Sequence, residues 1–218
     1  MEITSLLLPL GIIPAIIILY FLIGRYEGKY KEKYIFLTFV GGIVFGTIII
    51  LMERISFPSV YSNVLIFSFL FSLVEQLSKF IVLNLKILSD AAQPIYGASL
   101  GLGFYSSFAA FFVGEIEINL DAIFLIIFPI SALFLSCSLG IILGIGIKRN
   151  EKGKYFLISL LLGMVSWIAI IFSIKDIYIS SIFSTIYSVA IFYVIWKRYL
   201  PMAMLSRKEL KNFIKRER

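Results

Sequence analysis

Residues 68–86 read SFLFSLVEQLSKFIVLNLK and residues 93–112 read QPIYGASLGLGFYSSFAAFF, with a short polar break at Ser89 and Asp90 between them. The first segment sets two charges, Glu75 and Lys79, in otherwise apolar sequence. Charged side chains inside a membrane span are costly and mark either a site or a deliberate internal pair. Ser68, Ser72, Glu75 and Lys79 fall at helical spacing and draw one polar stripe down one helix face. In lipid such a stripe is expensive, so it is expected to face the interior of a helical bundle. Glu75 and Lys79 stand at i, i+4, where side chains on a helix can meet. The second segment is spaced by small residues. Gly97 and Gly101 form a GxxxG, and Ser99, Gly103, Ser106 and Ser107 extend a surface on which helix backbones approach closely.

The rest of the chain agrees with a membrane setting. Of 218 residues 60% are hydrophobic and only 15% charged, with a mean hydropathy of +0.99; soluble domains carry about 25% charged residues. Apolar windows of about twenty residues recur, each long enough to cross a hydrocarbon core of ~30 Å. The pattern predicts an all-α polytopic transmembrane bundle of about seven spans, at roughly 3–24, 34–52, 59–86, 92–114, 122–147, 155–174 and 177–196. The first span lacks a basic n-region and a small-residue cleavage site, so it is expected to be a retained helix. The connections are short and free of Pro-rich or Gly/Ser-rich linkers. They suggest one transmembrane domain over residues 1–200, followed by a basic cytoplasmic tail over 201–218.

Basic residues orient this bundle. The first loop carries Arg25, Lys29, Lys31 and Lys33, the third Lys86, the fifth Lys148, Arg149, Lys152 and Lys154, and the tail from Lys197 onward eight more. The remaining loops hold Arg54 and Lys175 alone, so alternate loops divide 17 basic residues against 2. Under the positive-inside rule the expectation is a multi-pass protein of the cell membrane, N-terminus outside and C-terminus cytoplasmic. The net charge of +7 is then explained by the lipid bilayer, and no aromatic-basic module points to nucleic acid. In this orientation Glu75, eleven residues before Lys86, lies about 16 Å deep at ~1.5 Å per residue.

Two readings of the Glu75–Lys79 pair stand side by side. It is a satisfied internal ion pair that specifies packing, helped by Gln76, which can both donate and accept, or it is the remnant of a site. Gly140 and Gly144 repeat the small-residue theme in the fifth span, where Pro129 removes a backbone donor and is expected to kink the helix. Ser181, Ser184, Thr185 and Ser188 make a hydroxyl stripe that reads as interhelical hydrogen bonding before it reads as a transport path. Glu115, Glu117 and Asp121 read as a charged external turn, and Ser206 with Glu209 as the capping box of a short basic helix near anionic headgroups. The single cysteine, Cys137, excludes an internal disulfide, and the chain contains no histidine.

Taken in order, Glu75-Gln76-x-x-Lys79, Asp90, IYGASLGLGF at 95–104 and FPISALF at 128–134 resemble the PrsW-type intramembrane proteases. That family is related to the prenyl-protein (CAAX) endopeptidases and to self-immunity proteins. The likeness covers about residues 72–172 and is most specific from Tyr96 through Phe104. The family pattern has Glu-Glu-x-x-Lys on one helix, then an aspartate leading into Tyr-x-x-x-x-Gly-x-Gly-Phe, whose phenylalanine opens a Phe-x-x-x-Glu motif. Later helices of the family contribute histidines. The resemblance implies a PrsW-like helical bundle, with Glu75 and Lys79 at a catalytic position and Gln76, Asp90, Tyr96, Gly97, Gly101, Gly103 and Phe104 in its binding and packing framework.

This chain departs from the family wherever the family needs a second acid or a metal. The second glutamate is Gln76, the Phe-x-x-x-Glu acid falls on Phe108, the histidine after Pro129 falls on Ser131, and the last histidine falls near Ser166. A hydrolytic metal site wants about three N or O protein ligands and an open position for water. Glu75 reads as the one intramembrane carboxylate left, so neither metal nor cofactor is expected. The reading that follows is a catalytically inactive PrsW-like protein that binds or scaffolds a membrane-protein partner or a hydrophobic client segment. The alternatives are a metal-independent hydrolase in which Glu75 activates water, and a transporter or channel component.

Overall fold

The computed structural model describes residues 4–56, 63–115, 122–173 and 177–205, and their side chains over 11–53, 55, 63–108, 127–172 and 178–205. Glu117, Asp121 and the Ser206–Glu209 capping box lie outside the described residues. The elements are α1 (Thr4–Ile23), α2 (Glu32–Ser56), α3 (Val64–Leu83), α4 (Gln93–Glu115), α5 (Ala122–Lys148), α6 (Lys152–Ser173), α7 (Ile177–Val194) and α8 (Leu200–Met204). Among the described residues five stretches are long and apolar enough to cross a membrane: Glu32–Glu53, Val64–Leu83, Ile127–Lys148, Lys152–Phe172 and Tyr178–Met204. This is a helical bundle of membrane-spanning character.

Local chemistry sets where the helices start and stop. Before α4, one oxygen of Asp90 accepts from the Ala92 amide at 2.8 Å and the other from the Tyr96 hydroxyl at 2.9 Å. That turn hands the chain to a first helical turn containing Pro94, where a missing amide hydrogen costs nothing. At the end of α5, Asn150 takes the left-handed conformation, φ 57°, and the Glu151 amide reaches back to the Gly146 carbonyl at 2.9 Å. Asparagine tolerates that conformation and closes the helix. The chain after α7 continues through a widened π turn, Ile195–Tyr199, into α8. The widening falls where Pro201 withholds the amide that an α-register would direct at the Lys197 carbonyl. α5 runs unbroken through Pro129.

α4 is the axis of the bundle, packed against α5, α2 and α1. Two glycine faces permit this. On one, a Cβ at Gly97 would strike the Gly140 carbonyl, one at Gly101 the Ser136 carbonyl, and one at Gly144 the Gln93 carbonyl. On the other, Gly103 meets the Phe39 carbonyl, while Gly42 and Gly46 meet those of Leu100 and Phe104. Hydroxyls tie the same contacts, Ser136 to the Gly101 carbonyl at 2.8 Å and Ser99 to the Ile35 carbonyl at 2.7 Å. Every described side chain of α4 is buried, as are 89% of the residues in the α5 span, whereas for α3 the share is 33% and the helix forms an outer wall. The main neighbour of α3 is α6. Its charged face meets α4, α5 and α6 together.

The loops α1–α2, α3–α4 and α5–α6 and the end of the α7–α8 segment gather at one end of the bundle. The Lys31 amide donates to the Tyr96 hydroxyl at 3.1 Å, and Lys148 donates to the Ala91 carbonyl at 2.7 Å and the Ala203 carbonyl at 2.6 Å. Lys152 donates to Asn84 at 2.7 Å, and the Arg25 guanidinium sits over the Trp196 ring at 4.5 Å. Basic residues of the two lysine-rich loops thus bind the carbonyl and aromatic groups of their neighbours.

Candidate functional site

The polar stripe of α3 is buried along its whole length: Ser68, Ser72, Glu75, Gln76 and Lys79 are all enclosed. Its outer neighbours on the same helix, Leu65, Ile66, Phe69, Leu70, Val74, Leu77 and Ile81, are exposed. This is the division a span needs when one face meets lipid and the other meets the bundle. The stripe enters a centre made by four helices. The Lys79 ammonium lies 3.8 Å from a Glu75 oxygen and donates to Ser136 of α5 at 2.9 Å. It also sits over the Phe104 ring of α4 at 4.6 Å and near the Tyr105 ring at 5.4 Å. An ammonium in such a place loses its water, and a carboxylate, a hydroxyl and two aromatic faces replace it.

Gln76 closes the side toward α6. Its amide donates to Glu75 at 3.3 Å, and its carbonyl accepts from Ser159 at 2.8 Å. One turn away, Ser72 donates to the Leu160 carbonyl at 2.8 Å. Gly163 on α6 leaves room for these contacts, since a Cβ there would press on Ser72 and Gln76. Tyr105 and Trp167 turn their polar edges to Glu75, although the indole Nε1 closes no hydrogen bond of ordinary geometry, and neither does Glu75 Oε1. A crevice bounded by Glu75, Tyr105, Ser136, Gly163 and Ser166 lies beside the pair and is too narrow to admit a water molecule.

The structure brings together Glu75, Gln76, Lys79 and Phe104. Asp90 and Tyr96 do not join them. They form a separate hydrogen-bonded pair at the loop end of α4, and Tyr96 is eight residues from Phe104, about 12 Å along a helix. Gly97, Gly101 and Gly103 hold the helix contacts already described. The positions where the PrsW-type pattern has ligands are filled by packing. Phe108 packs its ring at a tilt against Tyr105, centroids 5.0 Å apart, and edge-to-face against Trp167 at 6.4 Å. Ser131 bonds the Phe128 carbonyl at 2.7 Å and Ser184 of α7 at 3.2 Å, and Ser166 lines the crevice. Among the described residues no three His, Cys, Asp or Glu stand together to hold a metal ion, and the Glu75 carboxylate has an ammonium beside it.

Sequence reading missed several members of the centre. Glu53 is the most consequential. The second span was expected to end at residue 52, but α2 continues to Ser56, and Glu53 is only 5% exposed. The expectation that Glu75 is the one carboxylate within the membrane is therefore corrected. Glu53 lies within electrostatic reach of Glu75 and Lys79, and among the described residues neither of its oxygens has a hydrogen-bond partner. Its sequence neighbour Arg54 made the position look like the start of a loop. Tyr105, Ser136, Ser159 and Trp167 carried no signal beyond helical spacing. The Gly42-x-x-x-Gly46 pair did carry one, the same small-residue spacing as Gly97 and Gly101.

Comparison with family models, with curated proteins and with solved structures finds no match to this chain.

Proposed function

We propose that this chain is a seven-span protein of the cell membrane, N-terminus outside and C-terminus cytoplasmic, that keeps a PrsW-like helical framework without hydrolytic chemistry. Its task is to bind or scaffold a membrane-protein partner or a hydrophobic client segment. One observation carries the reading: the charged centre is engaged with its own bundle and closed to water. Lys79 is held by Glu75, Ser136 and Phe104, and Gln76 is held by Ser159. A hydrolase that uses Glu75 as a base needs a water within hydrogen-bond reach and a place for the scissile group. The crevice beside Glu75 has room for neither.

The orientation is supported by the 17-to-2 division of basic residues between alternate loops. The gathering of the lysine-rich loops and the α7–α8 segment at one end of the bundle agrees with it. The test is gentle purification from native membranes, with identification of co-purifying chains. The expected result is a membrane protein recovered in stoichiometric amount, whose recovery is unchanged when Glu75 is replaced by glutamine. Recovery of the chain alone, with peptidase activity abolished by Glu75→Gln, would overturn the proposal.

A further inference from the structure

α3 covers 20 residues, Val64–Leu83, about 30 Å at ~1.5 Å per residue, which is the thickness of a hydrocarbon core. The turn that follows, Lys86–Leu88, therefore stands at headgroup level. It is tightly closed. The Leu88 amide donates to the Leu85 carbonyl at 2.9 Å, and the amide and hydroxyl of Ser89 both donate to the Lys86 carbonyl, at 3.2 Å and 2.8 Å. Leu88 is turned into the bundle, whereas Leu85 and Ile87 are 50% and 52% exposed, and Lys86 between them is exposed as well. In water the two apolar side chains would gain nothing from that position. At the headgroup boundary they enter the acyl region while the lysine between them reaches phosphate.

The first turn of α6 lies beside this loop. Lys152 donates to Asn84 at 2.7 Å, and the Phe156 ring meets Phe80 edge-on with centroids 5.5 Å apart. Asn84 stands two residues before Lys86, which brings the two lysines to one edge of the bundle. Among the described residues neither lysine has a carboxylate partner. Glu151, the acid next to Lys152, pairs with Lys154 at 3.6 Å, and the oxygens of Asp90 accept from the Ala92 amide and the Tyr96 hydroxyl. Toward the bilayer the two packed helices expose Leu77 and Ile81 on α3 and Leu157 and Leu161 on α6, an apolar wall against which acyl chains can lie.

We infer that the α3–α4 loop and the start of α6 form a binding site for an anionic phospholipid. Lys86 and Lys152 take its phosphate, and its acyl chains run past Leu85 and Ile87 along α3 and α6. A free phosphate, or an acidic segment of a soluble protein, would use the two lysines and leave the apolar pair without a role. A lipid uses both. Two ammonium groups without carboxylates favour a headgroup of net negative charge over a zwitterionic one, because each basic residue at an anionic surface adds its own attraction. The inference goes beyond the partner-binding role and holds whichever protein the chain binds.

The test uses the full chain purified in a neutral detergent and measures its melting while phosphatidylglycerol or phosphatidylcholine is titrated into the micelles. Phosphatidylglycerol is expected to raise the melting temperature of the wild type, and phosphatidylcholine to leave it unchanged. Lys86→Gln/Lys152→Gln is expected to need roughly thirtyfold more phosphatidylglycerol for half of that rise. Lys31→Gln/Lys33→Gln, which removes as many charges from the same end of the bundle, keeps the wild-type midpoint. Each variant is compared with itself in phosphatidylcholine, so changes in its own stability cancel. Lys86→Gln alone, expected to shift the midpoint roughly fivefold, serves should the double variant fail to fold. Equal effects of the two lipids on the wild type, an unshifted midpoint in the Lys86 variants, or an equal shift in the Lys31/Lys33 control would overturn the inference. A rise of the same size with inorganic phosphate or with polyglutamate would overturn it too, in favour of a soluble anion or an acidic protein.

Discussion

Replacing Lys79 by methionine removes the ammonium that lies 3.8 Å from the buried Glu75 carboxylate. Lys79 is 1% exposed, so its loss strands Glu75 where no water can reach it. Breaking a buried pair from one side costs ~3–5 kcal/mol, whereas replacing both members by apolar groups of similar volume is often neutral or stabilising. The hydrogen bond that Lys79 donates to Ser136 and the ring contact with Phe104 are lost in both cases. Glu53 is present in both, so these contributions cancel in the comparison. For a chain of this size ~1 kcal/mol moves a melting temperature by about 2–4 °C. Lys79→Met is therefore expected to melt about 10 °C below the wild type, and Glu75→Leu/Lys79→Met within a few degrees of it on the same scale. The assay is thermal unfolding in detergent, read by tryptophan fluorescence, because Trp167 points its edge toward Glu75. A double variant less stable than the single one would refute the argument, for it would mean that the pair contributes more than the neutralisation of each member by the other.

Other contacts give independent checks. Gly97→Val drives a branched side chain into the Gly140 main chain, with a cost of about 3 kcal/mol or more expected for backbone overpacking; unchanged melting would show that α4 and α5 do not meet at this glycine. Tyr96→Phe removes the donor to Asp90 and the acceptor of the Lys31 amide, and a loss of about 1–2 kcal/mol is expected in the same assay. A single cysteine at Lys152, in a chain whose own Cys137 is buried, is expected to resist an impermeant maleimide on intact cells and to react after permeabilisation. Labelling of intact cells would reverse the topology.

Much of the bundle was legible in residue order. The stripe Ser68, Ser72, Glu75, Lys79 is enclosed because helical spacing places those residues on one face and lipid rejects that face. The spacing of Gly97 and Gly101 marked a close approach of α4 to α5. Each window read as a span coincides with a helix to within a few residues, except that α3 starts later than residue 59, at Val64; among the described residues five stretches, not seven, have the length and apolarity to cross a membrane. The partner of α3 was not legible. Which helix a polar face meets depends on contacts distant in sequence, here Ser72 with Leu160 and Gln76 with Ser159. Serines on α6 look alike whether they bond another helix or their own preceding turn.

The misreading of Glu53 has a more specific cause, and it changes the chemistry of the centre. A charge at the end of a hydrophobic window normally reaches the headgroups, and the pair Glu53-Arg54 has the composition of such an exit. Hydropathy registers where apolar sequence stops, and carries no information on whether the helix stops there too. α2 continues to Ser56, and its glycine contact with α4 through Gly42 and Gly46 draws it against the bundle. Glu53 is thereby turned inward toward Glu75. Read from the local motif alone, the centre is a balanced pair, one acid and one base. Assembled, it has a second buried acid nearby, Glu53, whose oxygens have no hydrogen-bond partner among the described residues. A balanced pair explains packing and asks for nothing more. The second acid becomes a neighbour of that pair only when α2, α3 and α4 are brought together, which no local motif records.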